Sequence, residues 1–164
     1  DHWPVWWKGF GNTDYLYTNS NGQKSSYDPT WGGAPTSTTF TVDDNNNYNK
    51  NGEAFIAYCW TSIPGFSQMG FFTGTSSSDG PFVYTGFKPK FIISHAYSQG
   101  GWGVYNTEND PGNGGVINSL ELQINRAEDT TSTDIGIDFF SNGYRPVSNW
   151  NPIRQEHANS AFCP

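Results

Sequence analysis

Short runs of aromatic and β-branched residues alternate along the chain with stretches rich in Gly, Asn, Ser and Pro. Runs of about four to eight residues in which apolar and polar positions alternate predict β-strands. No segment keeps the apolar spacing of an amphipathic helix over several turns. The predicted strands are residues 3–8, 15–18, 38–42, 53–60, 68–73, 82–85, 91–97, 102–106, 120–125, 135–140, 144–147 and 158–163.

Two hairpins are the clearest local features of the pattern. Residues 91–97 and 102–106 are joined by a short Ser-Gln-Gly-Gly loop, a length common between antiparallel strands. Residues 135–140 and 144–147 flank Ser-Asn-Gly at 141–143, a turn that tolerates a positive φ. Because turn signals recur about every ten residues, the pattern predicts an all-β fold of antiparallel, β-sandwich-like units.

The sequence also repeats itself at an offset of about 104 residues. Self-similarity at a fixed period indicates duplicated structural units. We therefore expect 61–164 to form a complete second β unit and 1–60 the C-terminal portion of an incomplete first unit. The aligned pairs are Leu16 with Leu120, Asn45 with Asn149, Asn47 with Asn151, Ala54 with Ala158, Ala57 with Ala161 and Cys59 with Cys163.

Near the N-terminus the offset shortens by about five residues, so that 3–6 matches 102–105. Trp3 and Trp102 then occupy equivalent strand positions, and we expect both to lie in the core. The partner strand of 3–8 in such a unit would precede Asp1. An uncovered edge there would cost roughly 1.5–3 kcal/mol for each large side chain left in water. We expect upstream chain or a neighbouring subunit to cover it.

The two cysteines occupy equivalent positions of the repeat. Cys59 lies in 53–60 (EAFIAYCW), a nearly continuous apolar run that predicts a central strand, and Cys163 ends the chain's last predicted strand. One interpretation is that each is a small buried hydrophobe filling the same place in its own unit. The other is a disulfide, which requires the two strand ends to lie a few Å apart.

Charge and composition exclude some classes of function. Charged residues make up 14% of the chain, aromatic residues 17%, and the net charge is −7. The eight Lys and Arg residues are scattered, so the chain lacks the basic cluster that binding to nucleic acid requires. No apolar run approaches the ~20 residues of a membrane span, and we expect no membrane insertion.

The loop after residue 42 is the one candidate for a metal site. Asp43, Asn45 and Asn47 place oxygen ligands at alternate positions, as calcium prefers. Tyr48 and Ala54, however, stand where an EF-hand loop needs Gly and Glu. The alternative is an Asn-rich loop whose side chains cap their own backbone. We predict no other cofactor.

Two loop tryptophans are the candidates for ligand binding. Trp31 and Trp150 offer flat apolar faces of the kind on which sugars stack, and Asn149 and Asn151 add polar groups beside the second. No nucleophile motif of the G-x-S-x-G type is present, and the three histidines lack metal-ligand spacing. His95 lies on the strand 91–97, where we expect a half-buried structural role. We therefore predict no catalytic residue.

The segments 55–70 and 79–91, the latter reading DGPFVYTGFKPKF, carry a family resemblance. They are similar to a domain of unknown function in large, often fibre-like virion proteins of marine and cyanobacterial tailed phages. The resemblance implies an appended β-rich structural module. It supplies no catalytic residues.

Two functions follow as expectations. The first is a non-enzymatic structural module of a phage virion, in a tail or head fibre or a surface decoration, with a role in host attachment. It would work as a homo-oligomer with other virion proteins at the virion surface. The alternative is a secreted, lectin-like module that binds cell-surface glycans. A hydrolase would need two carboxylates facing each other about 5–10 Å apart across a cleft.

Overall fold

The structure is a computed structural model that describes residues 3–26, 31–43, 46–75, 77–97, 101–109, 113 and 136–147, with the backbone of 120–121 and 156–162. This part of the chain forms strands and no helix, which confirms the predicted all-β character. The strands are β1 (Pro4–Val5), β2 (Leu16–Tyr17), β3 (Ser67–Thr73), β4 (Val83–Tyr84), β5 (Phe91–Ala96), β6 (Trp102–Asn106), β7 (Leu120–Glu121), β8 (Gly136–Phe140), β9 (Gly143–Val147) and β10 (Glu156–Phe162).

The strands form three sheets in which all pairs are antiparallel. The largest sheet has five strands in the order β3-β10-β5-β6-β7, the second has the order β4-β9-β8, and β1 pairs with β2. The last strand, β10, lies in the interior of the largest sheet. It pairs with β3 from Glu156–Thr73 to Phe162–Ser67 and with β5 from His157–Ala96 to Phe162–Phe91. The sheet is therefore complete only when the end of the chain inserts between two earlier strands.

The main core lies between the five-stranded sheet and the sheet of β4, β9 and β8. Ile92 and Tyr105 project from β5 and β6 into this core, and Tyr144 is fully buried on the opposite side. Burial of each such side chain stabilises the fold by roughly 1.5–3 kcal/mol. The buried members are Phe87, Ile92, Tyr105, Ile137, Phe139 and Tyr144, with Phe72 and Val83 packed against them.

The N-terminal segment covers the other face of the five-stranded sheet. Phe10 and Leu16 pack there against Trp102 of β6. Trp102 is 3% exposed, as expected of a core residue, but Trp3 is 58% exposed and the prediction that it lies in the core is wrong. Trp3 is paired only through its backbone, whose carbonyl accepts a hydrogen bond from the Thr18 N–H at 3.0 Å, and its side chain packs against neither core cluster. Val5, Trp6 and Trp7 pack against the cluster instead.

Both predicted hairpins are present in the pairing. Strand β5 pairs with β6 from Phe91–Asn106 to His95–Trp102, and β8 pairs with β9 around a turn at 141–142. The turn glycine, Gly143, is predicted for its tolerance of a positive φ, but here it is required by close packing. A Cβ on Gly143 would clash with the Val83 carbonyl and the Phe82 ring, so close packing against β4 excludes any larger residue.

Other predicted strands are shorter or absent. Residues 38–42 contribute only the isolated bridge between Trp31 and Val42. Residues 53–60, predicted as a central strand, form no strand and are exposed throughout, so that prediction is wrong. Strand β10 lies between two strands, whereas no strand lies beside 53–60 among the described residues. Residues 122–125, 135 and 163 lie outside the described residues.

The short pairings β1–β2 and β6–β7 have corresponding registers. Pro4 pairs with Tyr17 and Val5 with Leu16, while Gly103 pairs with Glu121 and Val104 with Leu120. The offsets read from the sequence, about 99 for β1 and about 104 for β2, carry each pair of the first set onto a pair of the second. The repeat in the sequence is thus accompanied by a repeat in strand pairing at this point.

Candidate assembly surface

The most unusual surface of the molecule is the segment 54–60, which we call the apolar strip. Its four large side chains are Phe55 at 50% exposed, Ile56 at 82%, Tyr58 at 62% and Trp60 at 64%. Large contiguous apolar patches are uncommon on monomeric soluble proteins and usually mark an interaction site. The segment is therefore the first candidate for a functional surface.

The strip is extended, which follows from both its ring contacts and its connection to β3. The rings of Tyr58 and Trp60 stack with centroids 6.1 Å apart and an angle of 20° between planes, so side chains two residues apart lie on the same side. This is the spacing of a β-strand. The chain then makes a tight turn in which Ile63 pairs with Ser67 and Gly65 has φ 76°.

Side chains, rather than a backbone ladder, join the end of the strip to β3. The Met69 N–H donates a hydrogen bond to Ser62 Oγ at 2.9 Å, and Ser67 Oγ donates to the Thr61 carbonyl at 2.7 Å. The Met69 N–H thus bonds the Ser62 side chain, and among the described residues β3 has no backbone pairing with the strip. Ile63, Phe66 and Phe71 add further exposed apolar area near the turn.

Cys59 lies within the strip and is exposed, with a free thiol. The interpretation that it is a buried hydrophobe is wrong in this structure, because the strip has no second layer of strands over it. Cys163 lies outside the described residues, and because Cys59 is a free cysteine this structure does not support the disulfide interpretation. An exposed thiol in the middle of the strip is a direct reporter of whether the strip is covered.

Trp31, one of the predicted ligand-binding residues, is half-buried and held in place. Its indole N–H donates a hydrogen bond to the Asp14 carbonyl at 3.1 Å. The Asp14 carboxylate accepts from Lys24 Nζ at 2.6 Å and from Ser26 Oγ at 2.7 Å. Burial opposes ionisation of Asp14, but these hydrogen bonds outweigh it and hold its pKa below the ordinary value. Trp150, Asn149 and Asn151 lie outside the described residues.

A shallow cleft of ≈ 330 Å³ lies on the N-terminal segment next to this network. Tyr15 and Tyr17 line it with ring centroids 5.0 Å apart, and Lys24 supplies a positive charge. The remaining lining residues are Leu16, Ser20, Gly22, Gln23 and Ser25. Paired aromatic rings beside polar groups are suited to a polar ligand with an apolar face.

The proposed calcium loop is only partly described, because Asn45 lies outside the described residues. The Asp43 carbonyl accepts a hydrogen bond from the Asn49 side chain at 3.3 Å. Tyr48 is buried, and its hydroxyl donates to that of Tyr17 at 2.9 Å. Within the described ranges, no three His, Cys, Asp or Glu side chains are grouped as a metal site. The calcium interpretation remains a prediction.

Two titratable side chains are closed off from solvent. His95 is 1% exposed, more deeply buried than predicted, and its ring lies 4.8 Å from that of Trp102. Desolvation by burial lowers the pKa of His95 to about 4, against a smaller opposing effect of the Ala96 backbone. Burial also raises the pKa of Tyr144 well above its ordinary value. Both groups belong to the packed interior.

Sequence comparison assigns the family. A domain of unknown function, DUF7483, matches residues 1–159, almost the whole chain. The chain belongs to the DUF7483 family. No curated protein and no solved structure matches it. No stretch of the described part of this DUF7483 chain forms an apolar helix of bilayer-spanning length. The DUF7483 assignment covers both the apolar strip and the five-stranded sheet, but brings no functional residues with it.

Proposed function

We propose that the chain is a non-enzymatic structural module of a phage virion, located in a fibre or a surface decoration. It acts as part of a homo-oligomer and contacts other virion proteins at the virion surface, where it can contribute to host attachment. The virion assignment depends on the resemblance of segments 55–70 and 79–91 to a domain of large phage structural proteins. The assembly role depends on the apolar strip.

The observation that carries the assembly role is the exposure of four large apolar side chains in one extended segment. Covering each of them would stabilise an assembly by roughly 1.5–3 kcal/mol. An extended segment with free backbone groups also pairs readily with another strand. A surface of this kind is costly for an isolated monomer and useful for a module that joins others.

We also propose that the chain holds two related β units, with 1–60 the later portion of the first and 61–164 the second. The corresponding registers of β1–β2 and β6–β7 support this division. Modules built from repeated units commonly assemble end to end.

The non-enzymatic part of the proposal is supported by where the perturbed groups lie. His95 and Tyr144 have shifted pKa values, yet both are buried in the packed interior. The Asp138 carboxylate accepts a hydrogen bond from the Arg145 guanidinium at 2.8 Å. These contacts are explained by packing and ion pairing within the sheets, without a substrate.

A second candidate function is carbohydrate binding, which the cleft of Tyr15 and Tyr17 favours. A glycan array tests it: a lectin shows saturable binding that Tyr15→Ala abolishes and Tyr84→Ala, at another exposed tyrosine, preserves. Trp31→Ala would act indirectly, since the Trp31 indole N–H is bonded to Asp14. Absence of binding leaves the structural role as the better account.

Sedimentation velocity over a range of concentrations tests the assembly role. We expect the chain to self-associate and the substitution Ile56→Asp to abolish association, because a carboxylate would have to be buried in the contact. Tyr84→Asp is the matched control, since Tyr84 is 68% exposed and lies outside the strip. A chain that stays monomeric at all concentrations, or two variants that behave alike, would contradict the proposed role.

A further inference from the structure

The sequence repeat gives the apolar strip a structural counterpart. Ala54 and Ala57 align with Ala158 and Ala161, and Tyr58 aligns with Phe162. Those three counterparts belong to β10, the strand that lies between β3 and β5. The strip is thus the equivalent of an interior strand, but it has no strand on either side among the described residues.

Other parts of 1–60 already pair as their counterparts do. Strands β1 and β2 have the register of β6 and β7. Within 1–60 the elements equivalent to β6 and β7 therefore pair with each other. The equivalent of β10 requires neighbours equivalent to β3 and β5, and the equivalent of β6 also requires the β5 equivalent.

We propose that the apolar strip is the interior strand of a second five-stranded sheet, and that its two neighbours are strands equivalent to β3 and β5 supplied by another DUF7483 unit. This inference deepens the proposed assembly role by naming the partner and the register. The strip enters that sheet as β10 enters its own, antiparallel to both neighbours.

The register of β10 predicts which residues Ile56 and Phe55 would lie beside. Position 160 lies between Met69 and Ile93, so Ile56 would meet the equivalents of those two apolar residues. Position 159 lies between Gly70 and Ser94, so Phe55 would lie between two small residues. A Cβ added to Gly70 meets nothing within 4 Å, which leaves room for a neighbouring aromatic ring. Ile56 and Phe55 thus fall beside apolar or small neighbours.

The chain's own β3 is a poor alternative partner for the strip. The turn at Ile63–Ser67 sets a different register, and Ser62 Oγ already accepts from the Met69 N–H at 2.9 Å. Self-pairing of two strips from two copies is the remaining alternative. It would cover Cys59 in a concentration-dependent way without any strand like β3 or β5.

The test adds strands equivalent to β3 and β5 to the same polypeptide. A copy of residues 61–101 is joined directly before Trp3, as 101 precedes Trp102 in the complete unit. All proteins carry Cys163→Ser, so that Cys59 is the only thiol. The rate at which a thiol reagent modifies Cys59 is measured at low protein concentration. We expect the added copy to slow it by about 100-fold or more.

Two variants control for non-specific effects. A copy of the same composition, with the residues of its β3 and β5 equivalents scrambled, should leave the rate at that of the original chain. Ile56→Asp in the extended protein should restore fast modification. Equal rates with the ordered and scrambled copies would overturn the inference.

A cross-link gives an independent measurement of the register. One step beyond the Phe162–Phe91 pair, Cys59 would lie opposite the Lys90 of the added copy. Lys90→Cys in that copy should form a disulfide with Cys59, and Lys88→Cys, at another exposed lysine, should not. Equal yields would contradict the register. If the added copy protects Cys59 but the original chain stays monomeric, the strand pairing is supported and the homo-oligomer is contradicted. If the original chain self-associates but the added copy leaves Cys59 exposed, the homo-oligomer is supported and the strand pairing is contradicted.

Discussion

The indole N–H of Trp102 donates a hydrogen bond to the backbone carbonyl of Tyr17 at 2.7 Å, between residues 85 positions apart in sequence. The Trp102 ring is buried and packs with Phe10 and Leu16. This contact fastens the N-terminal segment to the five-stranded sheet. It also joins the first β pair of the chain to the strand that is its counterpart in the repeat.

Replacing Trp102 by Phe should lower the free energy of unfolding by about 1–3 kcal/mol, because the substitution removes the hydrogen bond and part of the packing. Urea denaturation measures the change. Trp3→Phe is the control, and since Trp3 is exposed it should change stability by no more than about 0.5 kcal/mol. Equal losses from both substitutions would show that the two tryptophans are packed alike, contrary to this structure.

The buried His95 should make stability depend on pH between its folded and unfolded pKa values. The folded value is about 4 and the ordinary value is 6.5, so the unfolded chain binds more protons in this window. Stability is then fully present above pH ~6.5 and is lost as the pH falls toward 4, by up to about 3 kcal/mol. Denaturation midpoints at several pH values measure the slope.

The matched variant is His95→Leu, which removes the titrating ring and keeps a similar volume. It should flatten the pH dependence in this window and leave the dependence outside it unchanged. If the variant loses stability with acid as steeply as the original chain, then His95 is not the group responsible.

The hydroxyl of Tyr144 is buried without a hydrogen-bond partner among the described residues. Tyr144→Phe removes that polar atom and keeps the ring, so stability should be unchanged or raised by about 1 kcal/mol. Tyr144→Ala leaves a cavity in the main core and should cost about 3–5 kcal/mol. Calorimetry compares the two, and a large loss from the Phe variant would mean that the hydroxyl is bonded after all.

Gly143 and Gly70 lie on strands but have different surroundings. Gly143→Ala would force its Cβ against the Val83 carbonyl and should cost about 1–3 kcal/mol. Gly70→Ala has open space and should leave stability unchanged or raise it by up to about 1 kcal/mol. Chemical denaturation of both variants tests the close approach of β9 to β4. The prediction fails if their stabilities are the same.

Local pattern was sufficient to predict the regular strands and hairpins of the second half of the chain. Residues 102–106 are predicted as a strand, and β6 has those bounds. The pattern failed for 53–60 because periodicity reports which side chains favour a strand, not whether neighbouring strands are present. The repeat contained the missing signal, since it aligns this segment with a strand that needs a partner on each side.

Individual side chains were harder to predict than elements. Trp3 and Trp102 are equivalent in the repeat, yet only Trp102 has a sheet behind it. The burial of His95 depends on the N-terminal segment, which packs across the sheet from residues far away in sequence. The cleft of Tyr15 and Tyr17 has no sequence motif, because it arises from the path of the loop at 18–25.

Hydrogen exchange of the amides of residues 54–60 tests the central claim most directly. In the original chain these amides should exchange nearly as fast as those of an unstructured peptide, while the amides of Ile92 and Ile93 in β5 stay protected. In the protein extended by a copy of 61–101, the same amides should become protected to a degree like that of β5. Protection of 54–60 in the isolated monomer, or fast exchange in both proteins, would contradict the account.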